Sequence, residues 1–203
     1  MVKDADLFQI YSSMEKICTD LNNIIVALDQ AMNRERFIPI GGNALRWDMS
    51  QALNSPKQWL PYFSQRVYVK KKTKKRAIGI NILFKDSEFE NVIPFIVCGL
   101  LIGNESIPFK NDLFYTAGWD KEGTDITSIE GTPFSITKDD QIQIYSYFIR
   151  LTSVNNQTAL DDYIVNPLKK IYDIDIEDEN TLFQIGREIS DKTISIEHIK
   201  GEQ

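Results

Sequence analysis

The first 36 residues carry apolar side chains at a seven-residue period. Leu7, Met14, Leu21 and Leu28 form one row, and Ile10, Ile17, Ile24 and Ala31 form a second in step with it. Tyr11, Cys18, Ile25 and Met32 make a flanking third row. Positions three and four apart fall on one side of an α-helix, because a turn takes 3.6 residues. Neither Gly nor Pro interrupts residues 4–36, Asp4 or Asp6 can cap the start, and Arg34 and Arg36 complement the negative end of the dipole. The pattern predicts one helix of about 28 residues, about 40 Å long.

Such a stripe can be covered in two ways, by a sheet of its own chain or by a helix of another subunit. Leu7, Ile10, Met14, Ile17, Leu21, Ile24 and Leu28 are the residues an oligomer contact would use. The third row makes the stripe wider than a two-stranded seam and favours a bundle or a sheet-packing face. Asp20, Asn22, Asn23 and Asp29 lie off it and are expected in solvent.

After Arg36 the period changes to two. Residues 37–40 read as a short strand ended by Gly41-Gly42-Asn43, a turn cluster. Residues 44–64 hold Trp47, Trp59, Tyr62 and Phe63, with Ser55-Pro56 placed to start a short helix and Pro61 to limit it. Residues 66–69 and 77–84 predict a hairpin, its second arm alternating through Ile78, Ile80, Ile82 and Phe84. Residues 92–102 predict a buried strand with Pro94 near its start. Shorter strands are expected at 112–117, 125–129 and 132–137, and a long one at 141–151, where β-branched and aromatic residues concentrate. Thr158 is placed to cap a helix to Val165 that Pro167 interrupts. A second helix is expected over 179–189 and a last strand over 193–199. Together these elements predict an α+β fold: a long N-terminal helix packed on a mainly antiparallel β-sheet with short peripheral helices. No linker divides residues 1–203, so a single domain is expected, with 1–36 as the helix and 37–203 as the α+β body.

Composition narrows the chemistry. With 203 residues, 42% hydrophobic and 11% aromatic, the chain is neither disordered, collagenous nor a disulfide scaffold. Its single histidine, His198, excludes multi-histidine metal sites and would have to serve any Ser-His-Asp or Cys-His mechanism. His198 alternates with isoleucines and reads as a strand residue. Cys18 and Cys98 stand in apolar surroundings and are expected as buried, reduced thiols. No apolar leader opens the chain, and the run at 92–103 is far shorter than the roughly 20 residues of a membrane span. A cytoplasmic location without membrane contact is therefore expected.

Charge is unevenly placed. Lys70, Lys71, Lys72, Lys74, Lys75 and Arg76 put six positive charges into seven residues of a chain whose net charge is −6. Residues 1–101 carry a net +4 and residues 102–203 a net −10. A basic hairpin tip, with Tyr68 beside it for stacking, can meet nucleic acid or another polyanion. It can equally be a solvated tip that resists edge aggregation. The segment around Trp119, Asp120 and Glu122 lacks the lysine of a phosphate loop and the spacing of a calcium loop, and is read as a binding loop or an ordinary turn. The run Asp173, Asp175, Glu177, Asp178 and Glu179 reads as an acidic strand edge leading to a helix N-terminus, able to dock the basic tip of a neighbouring copy. No Asp or Glu stands two positions before any lysine, which removes the restriction-type nuclease motif. The expectation is a non-enzymatic binding or regulatory module without cofactor that self-associates through the first helix and contacts an anionic partner by the tip. A nucleic-acid-binding protein using residues 70–76 and a carboxylate- and metal-dependent hydrolase are the alternatives.

Overall fold

The structure is a computed structural model that describes residues 4–40, 63–70, 75–84, 94–103, 125–138, 142–174 and 179–195. The first helix, α1, spans Asp4–Arg34. Its 31 residues extend about 46 Å at 1.5 Å each. It stops short of Arg36 because that residue turns left-handed, at φ 66°. The N–H groups of Glu35 and Arg36 close the last turn on the carbonyls of Met32 and Asn33, at 3.1 and 2.9 Å. The reversal sends the chain straight into β1, Phe37–Pro39.

Six more strands follow: β2 (Phe63–Lys70), β3 (Arg76–Leu83), β4 (Phe95–Gly103), β5 (Asp125–Ser128), β6 (Ser135–Lys138) and β7 (Ile142–Arg150). They form one antiparallel sheet in the order β1-β2-β3-β4-β7-β6-β5. The protein is thus α+β, as its periodicities predict. β7 pairs with β4 along its whole length, from Ile142 opposite Gly103 to Arg150 opposite Phe95. The strand richest in aromatic and β-branched residues therefore lies inside the sheet. Residues 132–134 do not extend β6 as the alternation suggested. The Thr132 hydroxyl donates to the carbonyl of Ile129 at 2.9 Å, and Gly131 adopts φ 74°, so the segment is spent on a turn.

Strand parity sends alternate residues to opposite faces. One face presents Tyr68, Ile78, Ile80, Ile82, Ile96, Cys98, Leu100, Tyr145, Tyr147 and Ile149 to the helices. The opposite face, with Ala77, Val97, Leu101, Ile144 and Phe148, is buried as well. A strand buried on both sides loses its polar alternation, as β3 does in having every residue from Ala77 to Leu83 buried.

After β7 a 3₁₀ turn at Leu151–Ser153 leads into α2, Gln157–Leu160. The cap is Asn156, not Thr158: the Asn156 side-chain oxygen accepts from the Ala159 N–H at 2.9 Å. Nor does Pro167 break the rod. α2 runs through a π turn, Asp161–Val165, into α3, Asn166–Asp173, with helical dihedrals at both junctions. Proline lacks the N–H that the Tyr163 carbonyl would receive in an α-helix, and its ring crowds that carbonyl. The π turn lets the rod pass, and the freed Tyr163 carbonyl accepts from the Tyr147 hydroxyl at 2.9 Å. The sheet thus satisfies the group that Pro167 leaves without an internal partner.

Helix α4, Glu179–Ile189, closes the described chain. Gly186 lets it lie against Pro133, where a Cβ would come within 2.7 Å of the ring. The expected last strand contributes one bridge, Thr193 to Ile149, and a hydrogen bond from the Ile194 N–H to the Phe148 carbonyl at 3.0 Å. His198 lies outside the described residues, as does the strand expected at 112–117.

Candidate functional site

The first helix is divided. Its C-terminal half packs on the sheet and on the α2–α3 rod: Leu21, Ile25, Leu28, Ala31 and Met32 are each at most 6% exposed. No described side chain of the N-terminal half is buried, and Phe8, Ile10, Tyr11, Met14 and Ile17 are 73, 56, 63, 38 and 53% exposed. Of the stripe residues, Leu21, Ile24 and Leu28 therefore serve their own chain, whereas Ile10, Met14 and Ile17 project into solvent. Leu7 belongs to α1, with its side chain outside the described set. Cys18 lies on the projecting half and is exposed, against the expectation of a buried thiol. Cys98 meets that expectation; burial pushes its thiol well above the ordinary range, and a hydrogen bond with Tyr147 opposes the shift. Phe8 falls outside the rows, beyond Tyr11, and widens the exposed patch.

Polar contacts anchor the packed half. Asp29 is not a solvent residue but the acceptor for Arg66 and Tyr68 of β2. Arg66 Nε donates to Asp29 Oδ1 at 2.8 Å, Arg66 Nη2 donates to Oδ2, and the Tyr68 hydroxyl donates to Oδ1 at 2.8 Å. Burial works against the charged guanidinium of Arg66, yet the hydrogen bonds and charge of Asp29 outweigh it and hold its pKa above the usual value. Burial, reinforced by Asp29, drives the Tyr68 phenol far above its ordinary range. Arg34 reaches Asp161 at 3.0 Å and Lys169 reaches Glu35 at 2.5 Å, tying the helix end to the rod.

The basic turn is also partly committed within the chain. Tyr68 is fully buried and offers no stacking surface beside the tip. Lys70 pairs with Asp173 at 2.6 Å and sits 4.8 Å from the ring centroids of both Phe37 and Tyr172. Arg76 donates to the carbonyls of Tyr172 and Ile174 at 2.8 and 2.9 Å. It thereby caps the negative end of α3. Asp173 closes that helix rather than starting a strand, and it meets Lys70 of its own chain. Lys75 is exposed, while Lys71, Lys72 and Lys74 lie outside the described residues, with Trp119, Asp120, Glu122, Asp175, Glu177 and Asp178.

A groove of about 870 Å³ runs between α3 and α4, and most of its charges are used in pairs. Lys170 bridges to Glu188 at 2.6 Å, and Asp191 to Lys192 at 2.7 Å. Among the described residues no group of three or more His, Cys, Asp or Glu could hold a metal ion. No helix among them is long and apolar enough to cross a membrane.

The sequence pattern missed Asp29 because nothing local marks it. The readable signal was on the other strand, where Arg66 shares the inward parity of Tyr68 and so needs a buried counter-charge. The fold and surfaces define an α+β protein with a seven-stranded antiparallel sheet and a half-covered N-terminal helix. No protein-family model, curated protein or solved structure matches the chain.

Proposed function

We propose that this chain is a self-associating binding module, in which the projecting half of α1 packs against the same half of a second copy. One observation carries the reading: the apolar period continues unchanged through Leu21, while the chain's own cover ends there. A large apolar side chain gains about 1.5–3 kcal/mol on full burial, and five such groups stand exposed between Phe8 and Ile17. A helix with an intact heptad is self-complementary, and an isologous pair of copies satisfies both stripes at once. Asp6, Glu15 and Asp20 flank these rows without entering them, so two stripes meet without opposed charges at the seam.

Light scattering on the eluting protein tests this. Wild-type chain should associate with rising concentration, and Ile10→Lys with Ile17→Lys should yield a folded monomer of unchanged melting temperature. A wild type that stays monomeric at high micromolar concentration would sink the reading. Cys18 supplies a second readout, since Cys98 is buried: a bismaleimide should trap dimers that Cys18→Ser abolishes.

The basic turn adds an anionic contact to this module. Support comes from its charge density within an acidic chain and from exposed Lys75, while Lys70 and Arg76 are engaged within the fold. Replacing Lys71, Lys72, Lys74 and Lys75 by Gln should abolish salt-dependent binding to heparin or nucleic acid, and unchanged binding would remove this part.

A further inference from the structure

The face on which each chain packs fixes how two copies can meet. Fourteen residues beyond Tyr11, Met14, Ile17 and Cys18, all exposed, stand Ile25, Leu28, Ala31 and Met32, which are at most 6% exposed. About four helical turns separate the members of each pair, so they point within about 40° of one another around the axis. The exposed stripe and the packed stripe are therefore one face. It is open before Leu21, and from there on the chain's own sheet and the α2–α3 rod occupy it.

A parallel partner cannot follow this face. Packed helices lie only about 8–10 Å apart, so in a parallel pair the second helix, from its residue 21 onward, would fall where the first copy's sheet already lies. Staggering the copies only moves the collision along the helix. Reversal removes it: an antiparallel pair that crosses at residue 12 sets Ile10 opposite Met14, and Ile17 opposite position 7, so the two apolar rows match each other. Leu21, the first covered residue, then falls opposite position 3, just beyond the start of α1 at Asp4. The overlap is about 25 Å of helix, and neither body enters it.

We infer that the copies pair antiparallel about residue 12, an arrangement that rests on the self-association already proposed and adds its direction and register. The two sheets then lie at opposite ends of the dimer. Lys70 sits 4.8 Å from the ring centroid of Phe37, just past the C-terminal end of α1, so each basic turn stands at an outer end. With about 22 residues of helix on each side of the crossing, the two Arg34 positions are about 65 Å apart.

Pulsed dipolar spectroscopy on the full chain tests the direction. A nitroxide attached to Cys18 needs no substitution, because Cys98 is buried. The two Cys18 Cα atoms should lie about 20 Å apart, from about 18 Å along the axis and about 9 Å between axes. A label at Asn33→Cys in a Cys18→Ser chain should report about 60 Å, and it carries the test if a label at Cys18 disturbs the seam. Asn33 labels within about 25 Å of each other would mean a parallel pair and overturn the inference. Register is read by mixing Ile10→Cys and Met14→Cys chains, each also Cys18→Ser, under mild oxidation. The mixed disulfide should exceed either symmetric one, and an excess of the Ile10→Cys homodimer would overturn the register. A wild type that scatters light as a monomer sinks the self-association and this arrangement together, whereas a dimer with the short Asn33 distance sinks the direction alone.

Discussion

The two halves of α1 share one sequence pattern and differ in surroundings. Residues 21–32 repeat the apolar rows of residues 7–18, yet the rows of the first set are buried or packed on the core, while Ile10, Tyr11, Met14, Ile17 and Cys18 of the second are exposed. A short helix has little stability of its own in water. The projecting half is helical because it propagates from a turn that the sheet has already nucleated. Amphipathic period therefore specifies a helix and a sticky face, and the extent of the neighbouring sheet decides which part of that face stays available.

Substitutions along the helix put the contrast at risk. The largest loss is expected at the centre of the packed half, where Leu28→Ala should lower unfolding free energy by about 3–4 kcal/mol in a denaturant melt. A loss under 1 kcal/mol there would mean that the packed half is not packed. Asp29→Ala should follow at about 2–3 kcal/mol, because it strands the Arg66 guanidinium in a buried position; Asp29→Asn, which keeps an acceptor, should cost less. Arg76→Ala removes the hydrogen bonds that close α3 and should cost about 1–2 kcal/mol. Ile17→Ala, measured on dilute chain, should change stability by no more than about 0.5 kcal/mol while weakening association. Thiol labelling gives the smallest perturbation: Cys18 should react at once in the native protein and Cys98 only on unfolding. Native labelling of both would contradict the buried position of β4.

A second contrast concerns charge. Counted along the chain, a basic first half and an acidic second half suggest a molecule able to dock head to tail with its copies. In the fold the two meet within one chain, Lys70 on Asp173 and Arg76 on the C-terminal carbonyls of α3. Part of the basic cluster is thus structural, holding the β2–β3 hairpin against the helical rod. An exposed ion pair contributes little, whereas Arg76, partly buried on two carbonyls, contributes more. Neutralising Lys70 and neutralising Arg76 should therefore differ in their effects on stability.

Much of the architecture is legible in the amino-acid pattern. The heptads announce α1, alternation announces the β2–β3 hairpin, and the density of Ile142, Ile144, Tyr145, Tyr147, Phe148 and Ile149 announces the long strand β7. Local rules fail where a distant group supplies the missing partner. Pro167 reads as a helix breaker until Tyr147 is placed under the Tyr163 carbonyl. Asp29 reads as surface until Arg66 arrives from a strand 37 residues away. Cys18 reads as core because the stripe carries no mark of where the sheet ends. The row of Gly79, Gly99 and Ser146 is invisible for the same reason, since these residues become neighbours only through strand register.

What the chain determines by itself is periodicity, and with it the type of its long elements, because backbone geometry is local. Tertiary structure alone decided which periodic faces found a partner. Burial, charge pairing and register depend on groups far apart in sequence, so the same rows of apolar residues became core from Leu21 onward and an open surface before it.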